Sequence, residues 1–129
     1  MIALICGGRD YLDRDTLERT LTHLADVRGP FTQIIHGAAR GADTLAGEWG
    51  IRNKVPVRPY PAHWRHKAGC EMGCAKVIGP GAGPIRNEKM LAEWKPDLVI
   101  AFPGGSGTTD MMRRAHAAGV EVLEITKER

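Results

Sequence analysis

Apolar runs alternate with segments of helical periodicity along the chain. Ile2–Cys6 is a continuous apolar run that ends at two glycines, and Gln33–His36 is a second short run that also precedes glycine. Between and after these runs, apolar residues recur three or four positions apart, as in a helix with one buried face. Strands that alternate with helices are typical of a parallel sheet covered on both sides. The pattern predicts a single three-layer α/β domain over residues 1–129, with a mostly parallel sheet.

Local signals predict where several elements begin and end. Asp15 followed by Glu18 resembles a capping box at the start of the first helix. Pro84 is well placed as the first residue of a later helix. Residues 55–60 predict a short strand at the sheet edge, because their prolines, and the proline that follows, cannot donate ladder hydrogen bonds. Residues 62–83 follow neither period and predict an irregular insertion.

The composition is that of a folded, soluble protein. Hydrophobic residues make up 43% of the chain and charged residues 26%, close to the average for globular domains. No apolar stretch approaches the ~20 residues of a membrane-spanning helix, and the opening apolar run has no basic flank of the kind found in signal peptides. Three cysteines are an odd number for a disulfide framework. We therefore predict a cytoplasmic protein with no membrane partner.

The net charge of +3 is weak, but its distribution is uneven. Residues 52–76 hold six lysines and arginines against one glutamate, so this segment carries +5 and the remainder −2. An anionic ligand or partner near the segment is one interpretation, and a solvated loop whose charges face water is the other. The small overall charge disfavours nucleic acid as the partner.

Three of the predicted strands, which begin at Ile2, Gln33 and Asp97, run into glycine-bearing loops that lead into helices. In an open parallel sheet such loops meet at the carboxyl ends of the strands, where ligands bind. Glycine lets backbone N–H groups approach a phosphate, and a helix start adds further donors. The residues predicted to bind a ligand in the first two loops are Gly7, Gly8, Arg9, Asp10, His36, Gly37, Arg40 and Asp43. Those of the third loop are Gly104, Gly105, Ser106, Gly107 and Thr108.

Charged residues in and near these loops suit a phosphorylated nucleoside. Arginine makes bidentate contacts with phosphate, so Arg9 and Arg86 are assigned to neutralise it. Asp10 and Asp43 are assigned to accept hydrogen bonds from a sugar or a base. The structural alternative is that the aspartates cap helices and the arginines form surface ion pairs.

Four motifs occur in order along the chain, and together they resemble a known superfamily. They are Gly7-Gly8-Arg9, His36-Gly-Ala-Ala-Arg-Gly-Ala-Asp43, Gly83-Pro84-Ile85-Arg86-Asn87 with Met90, and Pro103-Gly-Gly-Ser-Gly-Thr108. The resemblance is to the SLOG superfamily, in its YspA/cpYpsA-related branch, also described as the DUF2493 domain. It implies a Rossmann-like fold and a nucleotide or nucleotide-derived ligand, and it adds Asn87 to the expected ligand-binding residues. Related folds pair through helix faces, which makes a homodimer an expectation.

The same resemblance leaves catalysis open. The related Lonely Guy phosphoribohydrolases, which belong with the lysine-decarboxylase-like proteins, cleave the N-glycosidic bond of nucleoside monophosphates. They do so with an Arg-Lys-x-x-Met helix and the Glu of Pro-Gly-Gly-x-Gly-Thr-x-x-Glu. Arg86 and Met90 match, whereas Asn87 replaces the Lys and Met111 replaces the Glu. Methionine cannot transfer a proton or stabilise an oxocarbenium ion, and Asp110 would point about 100° away around the helix.

We therefore expect binding or sensing of a nucleotide-type ligand. The alternative is hydrolysis of nucleoside monophosphates or nucleotide sugars, with Arg86 and Asp110 as the catalytic pair. A third reading is contact with single-stranded DNA of the kind made by the related protein DprA, through residues 52–76.

Two histidines and two cysteines follow one another in the irregular segment, at His63, His66, Cys70 and Cys74. Two imidazoles and two thiols can hold zinc tetrahedrally. Their spacing is not that of a familiar zinc finger, and free thiols in an exposed loop are the alternative. The expected ligand site itself requires no metal and no other cofactor.

Overall fold

The computed structural model describes residues 1–60 and 82–126, which form one parallel sheet with helices on both sides. Within these ranges the elements are, in chain order, β1 (Ile2–Cys6), α1 (Arg14–Arg28), β2 (Gln33–His36), α2 (Ala42–Arg52), β3 (Val57–Pro59), α3 (Ala82–Trp94), β4 (Leu98–Ala101), α4 (Ser106–Ala117) and β5 (Glu121–Glu124). Every neighbouring strand pair is parallel. The predicted α/β class with a Rossmann-like sheet is confirmed.

The strand order is β3-β2-β1-β4-β5, so β1 lies in the middle of the sheet. From β1 the chain first builds outward to β2 and β3, then crosses to the other side of β1 to form β4 and β5. The loops that follow β1 and β4 therefore leave the sheet in opposite directions. In open α/β sheets the crevice between two such loops is where ligands bind.

Two apolar cores enclose the sheet, one on each face. Helices α1 and α2 cover one face through buried side chains such as Leu21 and Trp49. Helices α3 and α4 cover the other face through Met90 and Met111. Alternate strand residues point into the two cores, as the two-residue period of a strand requires. This packing fixes the carboxyl ends of the strands, and with them the loops that carry the predicted site.

Two helices begin at residues other than those predicted. The N-cap of α1 is Asp13, whose Oδ1 accepts from the Thr16 N–H at 3.1 Å and whose Oδ2 accepts from the Thr16 hydroxyl at 2.7 Å. Asp15 lies in the first turn and forms an ion pair of 2.6 Å with Arg19. Pro84 is the third residue of α3 instead of the first, which is tolerated because N–H groups in a first turn have no intrahelical acceptor.

The edge strand is shorter than the sequence pattern suggests. Of the predicted residues 55–60, only Val57–Pro59 form β3, which pairs with β2 at the edge of the sheet. The predicted insertion 62–83 lies outside the described residues, except that 82 and 83 begin α3. None of the helices formed by residues 1–60 and 82–126 combines the length and the apolar character needed to cross a bilayer.

Candidate functional site

Backbone hydrogen bonds join the three glycine loops at the carboxyl edge of the sheet. The Gly8 N–H donates to the Pro103 carbonyl at 2.9 Å, and the Ala42 N–H donates to the Gly8 carbonyl at 3.2 Å. Gly8 thus lies between the loop after β4 and the start of α2. The structure brings together the loops that the sequence predicts to form one site.

Some of these glycines are needed because the loops pack closely. A Cβ on Gly41, whose φ is +82°, would overlap the Gly8 carbonyl oxygen and lie 2.6 Å from that of Arg9. A Cβ on Gly104 would overlap Thr108 Oγ1 and lie 2.6 Å from the Gly8 nitrogen. Only glycine allows such close approach. Gly8 and Gly104, predicted to contact a ligand, therefore also hold the loops against one another.

Gly105 and Gly107 are different, because a Cβ on either would meet no atom of the described residues within 4 Å. Gly105 is the N-cap of α4, and within residues 1–60 and 82–126 no side chain caps this helix. Residues Ser106–Thr108, predicted as part of the loop, form its first turn. Unbonded N–H groups at a helix start, together with the helix dipole, make an anion-binding position.

A cleft with a volume of about 1780 Å³ opens at this position. Its walls are the three loops, one side of α3 with Arg86 and Asn87, and the start of α4 up to Asp110. Drug-sized ligands occupy pockets of roughly 300–1,000 Å³. The cleft is therefore large enough for a nucleotide with more than one phosphate or with an attached sugar.

Arg86 extends from α3 to the loop after β2. Its Nη1 donates to the Gly37 carbonyl at 2.6 Å and to the Tyr60 carbonyl at 3.3 Å, and its Nε donates to Asn87 Oδ1 at 3.0 Å. Burial lowers the pKa of Arg86, the nearby Asp43 raises it, and the charge of Arg9 lowers it. Two guanidinium groups are therefore within electrostatic reach of each other in the cleft.

Asn87 connects α3 to α4. Its side-chain oxygen accepts from Arg86, while Nδ2 donates to the Gly107 carbonyl at 3.3 Å and to Asp110 Oδ2 at 3.0 Å. The residue is 4% exposed. Both ends of its amide are bonded within the protein, so in the structure Asn87 holds Arg86 and Asp110 in position.

Asp110 faces the cleft, whereas Met111 is fully buried in the core between the sheet and α3. The Asp110 carboxylate also accepts from Arg113 Nη2 at 2.7 Å and from Arg114 Nε at 2.8 Å. Burial raises the pKa of Asp110, but the hydrogen bonds from Asn87 and Arg114 outweigh this and hold it below its usual value. The carboxylate is ionised and bonded on several sides.

Asp43 lies in the first turn of α2 and is 5% exposed. Its Oδ2 accepts from the N–H groups of Gly37 at 3.1 Å and Ala39 at 3.2 Å. Its Oδ1 is buried without a hydrogen-bond partner among the described residues. Burial raises the pKa of Asp43 to about 6, against a usual value of 3.8. The side chain thus shapes the loop after β2 and leaves one acceptor unused.

His36 ends β2 beneath the same loop and is buried. Its Nδ1 accepts from the Ala38 N–H at 2.9 Å, and a Cβ on Gly47 would lie 2.9 Å from its Nε2. Burial and the charge of Arg86 lower the pKa of His36 to about 4. The imidazole is therefore neutral near pH 7 and packs against α2.

The remaining predicted residues are at the mouth of the cleft. Arg9, Asp10 and Arg40 are exposed, and Arg40 Nη2 lies 4.0 Å from Asp10 Oδ1. An exposed pair of this kind contributes little to stability. Asp10 caps no helix of the described residues, so its carboxylate is presented to solvent at the cleft.

Sequence reasoning missed several residues of the cleft wall. Leu12 lines it with a side chain that is 79% exposed, and Tyr11 beside it packs its ring against Phe102 with centroids 5.4 Å apart. Arg113 also lines the cleft. The sequence did carry two signals. Tyr11 and Leu12 are apolar residues outside any predicted element, and Arg113 follows Asp110 by three positions, which places these two on one helix face.

The zinc prediction falls on residues that lie outside the described part of the chain, as does most of segment 52–76. The four predicted ligands are His63, His66, Cys70 and Cys74. In residues 1–60 and 82–126, no three His, Cys, Asp or Glu side chains are grouped closely enough to hold a metal ion.

The sheet order and the glycine-lined cleft at its switch point define a Rossmann-like α/β protein. A model of the YspA, cpYpsA-related SLOG family matches residues 1–66. The gene 61 protein of Mycobacterium phage D29 is 36% identical over 130 aligned positions, and the match covers 95% of this chain and 94% of that protein. The chain belongs to the YspA, cpYpsA-related SLOG family, and the resemblance predicted from its four motifs is confirmed.

Solved structures with the same fold are much less similar in sequence. MurG of Acinetobacter baumannii superimposes with a TM-score of 0.60 at 12% identity, over 95% of this chain and 34% of that one. The UDP-GlcNAc 2-epimerase of Methanocaldococcus jannaschii, solved with UDP-GlcNAc and UDP, gives a TM-score of 0.55 at 18% identity, over 96% of this chain and 32% of that one. This chain spans about a third of their length, and the likeness is one of fold.

Proposed function

We propose that the chain binds or senses a nucleotide or nucleotide-derived ligand in this cleft. The phosphate lies against the start of α4, at Gly105–Thr108, and the guanidinium groups of Arg9 and Arg86 neutralise it. The sugar extends toward Asp43.

The uncapped start of α4 is the observation that carries the proposal. Its N-cap and second residue, Gly105 and Gly107, have open space where side chains would stand. Because backbone N–H groups and the helix dipole both favour an anion at such a position, phosphate fits it better than a neutral group. Arg86 and Arg9 add positive charge in the same cleft, and an anion between them would relieve their repulsion.

The comparisons support the same ligand class. Nucleotide-derived ligands are what the SLOG resemblance implies, and the epimerase of the same fold was solved with UDP-GlcNAc and UDP. In open α/β sheets, ligands lie at the switch point whatever the reaction. The likeness to the epimerase therefore supports the position of the ligand in this chain, and not a reaction.

Binding is favoured over hydrolysis by the state of the two candidate acidic positions. Met111 is buried in the core, so its position offers no group to the cleft. Asp110 accepts hydrogen bonds from Asn87, Arg113 and Arg114. A carboxylate already neutralised by two guanidinium groups is a weak stabiliser of an oxocarbenium ion and a poor proton acceptor.

The test is calorimetric binding of the 5′-mono- and diphosphates of adenosine, guanosine, cytidine and uridine to the purified full chain. Gly105→Asp should abolish binding because its carboxylate would oppose the phosphate, whereas Gly105→Ala should bind within a few-fold of wild type. Both variants should melt as wild type does, since a Cβ at this position meets nothing within 4 Å. Undiminished binding by Gly105→Asp would refute the proposed site.

One observation keeps glycosidic hydrolysis as the second candidate, because the Asp110 carboxylate does line the cleft. If the chain is a glycohydrolase, the nucleotides that bind will release free base, and Asp110→Asn will stop the release without preventing binding. Binding without release of base identifies a binding or sensing protein.

A further inference from the structure

Asp43 and Arg86 are two charged side chains of one cleft wall that do not satisfy each other. The hydrogen bonds of Arg86 with the described residues go to Gly37, Tyr60 and Asn87. Asp43 Oδ1 is buried and has no partner among those residues. The two charges nevertheless influence each other: the charge of Arg86 lowers the pKa of Asp43, and the charge of Asp43 raises the pKa of Arg86.

A buried carboxylate oxygen without a hydrogen-bond donor is costly and uncommon in native proteins. Its environment here contains one strong donor group, the guanidinium of Arg86, and one unused acceptor, Asp43 Oδ1. A ligand group that both donates and accepts would satisfy this pair. A hydroxyl does so, whereas an ionised phosphate oxygen accepts only.

The backbone places this pair next to the proposed phosphate position. Ala42, which precedes Asp43, donates to the Gly8 carbonyl at 3.2 Å, and the Gly8 N–H donates to Pro103 at 2.9 Å. The residues after Pro103 form the start of α4. In a nucleotide, the sugar is the part that directly adjoins the phosphate, and the base lies beyond it.

We propose that Asp43 and Arg86 form a sugar-hydroxyl subsite, so that the ligand of this cleft carries a ribose-type hydroxyl, accepted by Asp43 Oδ1 and lost in a deoxy analogue. The inference rests on the proposed function and specifies its ligand. It assigns Asp43 two bonding partners, the loop amides through Oδ2 and the ligand through Oδ1.

Asp43→Asn reverses the polarity of the subsite while keeping its shape. The amide oxygen is required by the Gly37 and Ala39 N–H groups, so the amide nitrogen must take the place of Oδ1. It then presents N–H groups to a ligand hydroxyl where the carboxylate presented a lone pair. Asp26→Asn is the matched control, because Asp26 is an exposed residue of α1 that does not line the cleft.

The experiment compares ADP and UDP with their 2′-deoxy and 3′-deoxy forms by calorimetry. In wild type, one of the deoxy forms should bind about 10- to 100-fold more weakly, as expected for losing a hydrogen bond to a charged group. In Asp43→Asn this discrimination should fall severalfold, because the amide N–H can still donate to the hydroxyl oxygen but the charged acceptor is lost, and Asp26→Asn should retain it. Thermal melts verify that both variants fold.

Each outcome decides one proposal. If the ribonucleotides bind wild type but both deoxy forms bind equally well, the hydroxyl subsite is refuted and the proposed function stands. Discrimination that stays at the wild-type value in a folded Asp43→Asn variant refutes the subsite in the same way. The wild-type comparison decides the question even if Asp43→Asn does not fold. If ADP and UDP do not bind wild type but another of the eight nucleotides does, the comparison is made with the deoxy forms of that nucleotide. If none of the eight binds, the proposed function fails and the subsite falls with it.

Discussion

A protein needs glycine either where φ is positive or where a Cβ would clash with a neighbouring group, and four glycines of this chain differ in these two properties. Gly41 has φ +82° and a Cβ there would clash with backbone; Gly29 has φ +97° with nothing within 4 Å. Gly104 would clash without a positive φ, and Gly105 has neither constraint. Changing each to alanine therefore tests backbone strain and loop packing independently, in one fold.

The expected costs follow from the geometry. Strain at positive φ with extended ψ costs roughly 1–3 kcal/mol, which is the whole effect at Gly29. Overpacking costs roughly 1–3 kcal/mol, the whole effect at Gly104. Gly41→Ala combines both and also weakens the bond from Ala42 to the Gly8 carbonyl, for a total of about 2.5–7.5 kcal/mol. Gly105→Ala should stay within about 0.5 kcal/mol of wild type.

Urea unfolding followed by circular dichroism measures these differences directly, and thermal melts provide a second readout. For a chain of 129 residues, an unfolding entropy of about 2.1 cal/mol/K per residue converts the Gly41→Ala cost into a melting-temperature drop of roughly 9–28 °C. The reasoning is refuted if Gly41→Ala is no more destabilising than Gly29→Ala, because the loops would then not be packed as described. A large loss in Gly105→Ala would likewise contradict the open space at the start of α4.

Two further predictions concern the polar groups of the cleft. Asp43, with a folded pKa of about 6 against 3.8, lowers stability as pH rises from about 4 to 6, while His36, about 4 against 6.5, raises it over nearly the same range. The two effects oppose each other in wild type, and Asp43→Asn leaves only that of His36. The free energy of unfolding of Asp43→Asn should therefore rise by about 3 kcal/mol as the pH is raised from 4 to 6.5. A urea-denaturation midpoint that does not change over that range would contradict the lowered pKa of the buried His36. Asn87→Asp places a carboxylate beside Asp110, so the pKa of Asp110, measured by carbon NMR, should rise, and the free energy of unfolding should fall by about 2–3 kcal/mol. An unchanged pKa of Asp110 would show that Asn87 does not hold this carboxylate.

The first two strands were predictable because each is a short run with apolar residues that ends at glycine. Ile2–Cys6 and Gln33–His36 have the bounds that the sequence indicates, since parallel strands buried on both faces need no alternation. The start of α1 could not be predicted in the same way, because Asp13 and Asp15 are the same residue type, two positions apart, and either could be the N-cap. The choice depends on which carboxylate reaches the Thr16 N–H, a matter of backbone dihedral angles that the residue pattern does not contain.

The candidate site shows a similar division. Residue types and strand order suffice to predict that the glycine loops meet. They do not separate Gly104, which packs against Thr108 and Gly8, from Gly105, which faces open space, because that difference depends on the distance between two loops far apart in sequence. The double bonding of Asn87 escaped prediction for the same reason, since Gly107 and Asp110 become its neighbours only when α3 packs against α4.

The departures from the phosphoribohydrolase motif also account for the construction of this cleft wall. Lysine, which that motif has at position 87, only donates hydrogen bonds. The amide of Asn87 both accepts from Arg86 and donates to Asp110, so it fixes the positions of a cationic and an anionic side chain relative to each other. Met111 meanwhile fills the core beneath α4 and anchors the helix whose N-terminus faces the cleft. Asn87 and Met111, the two departures from the motif that this chain resembles, are thus both fixed within the protein. If the cleft binds the proposed ligand, a wall fixed beforehand favours tight binding because little ordering remains to be done.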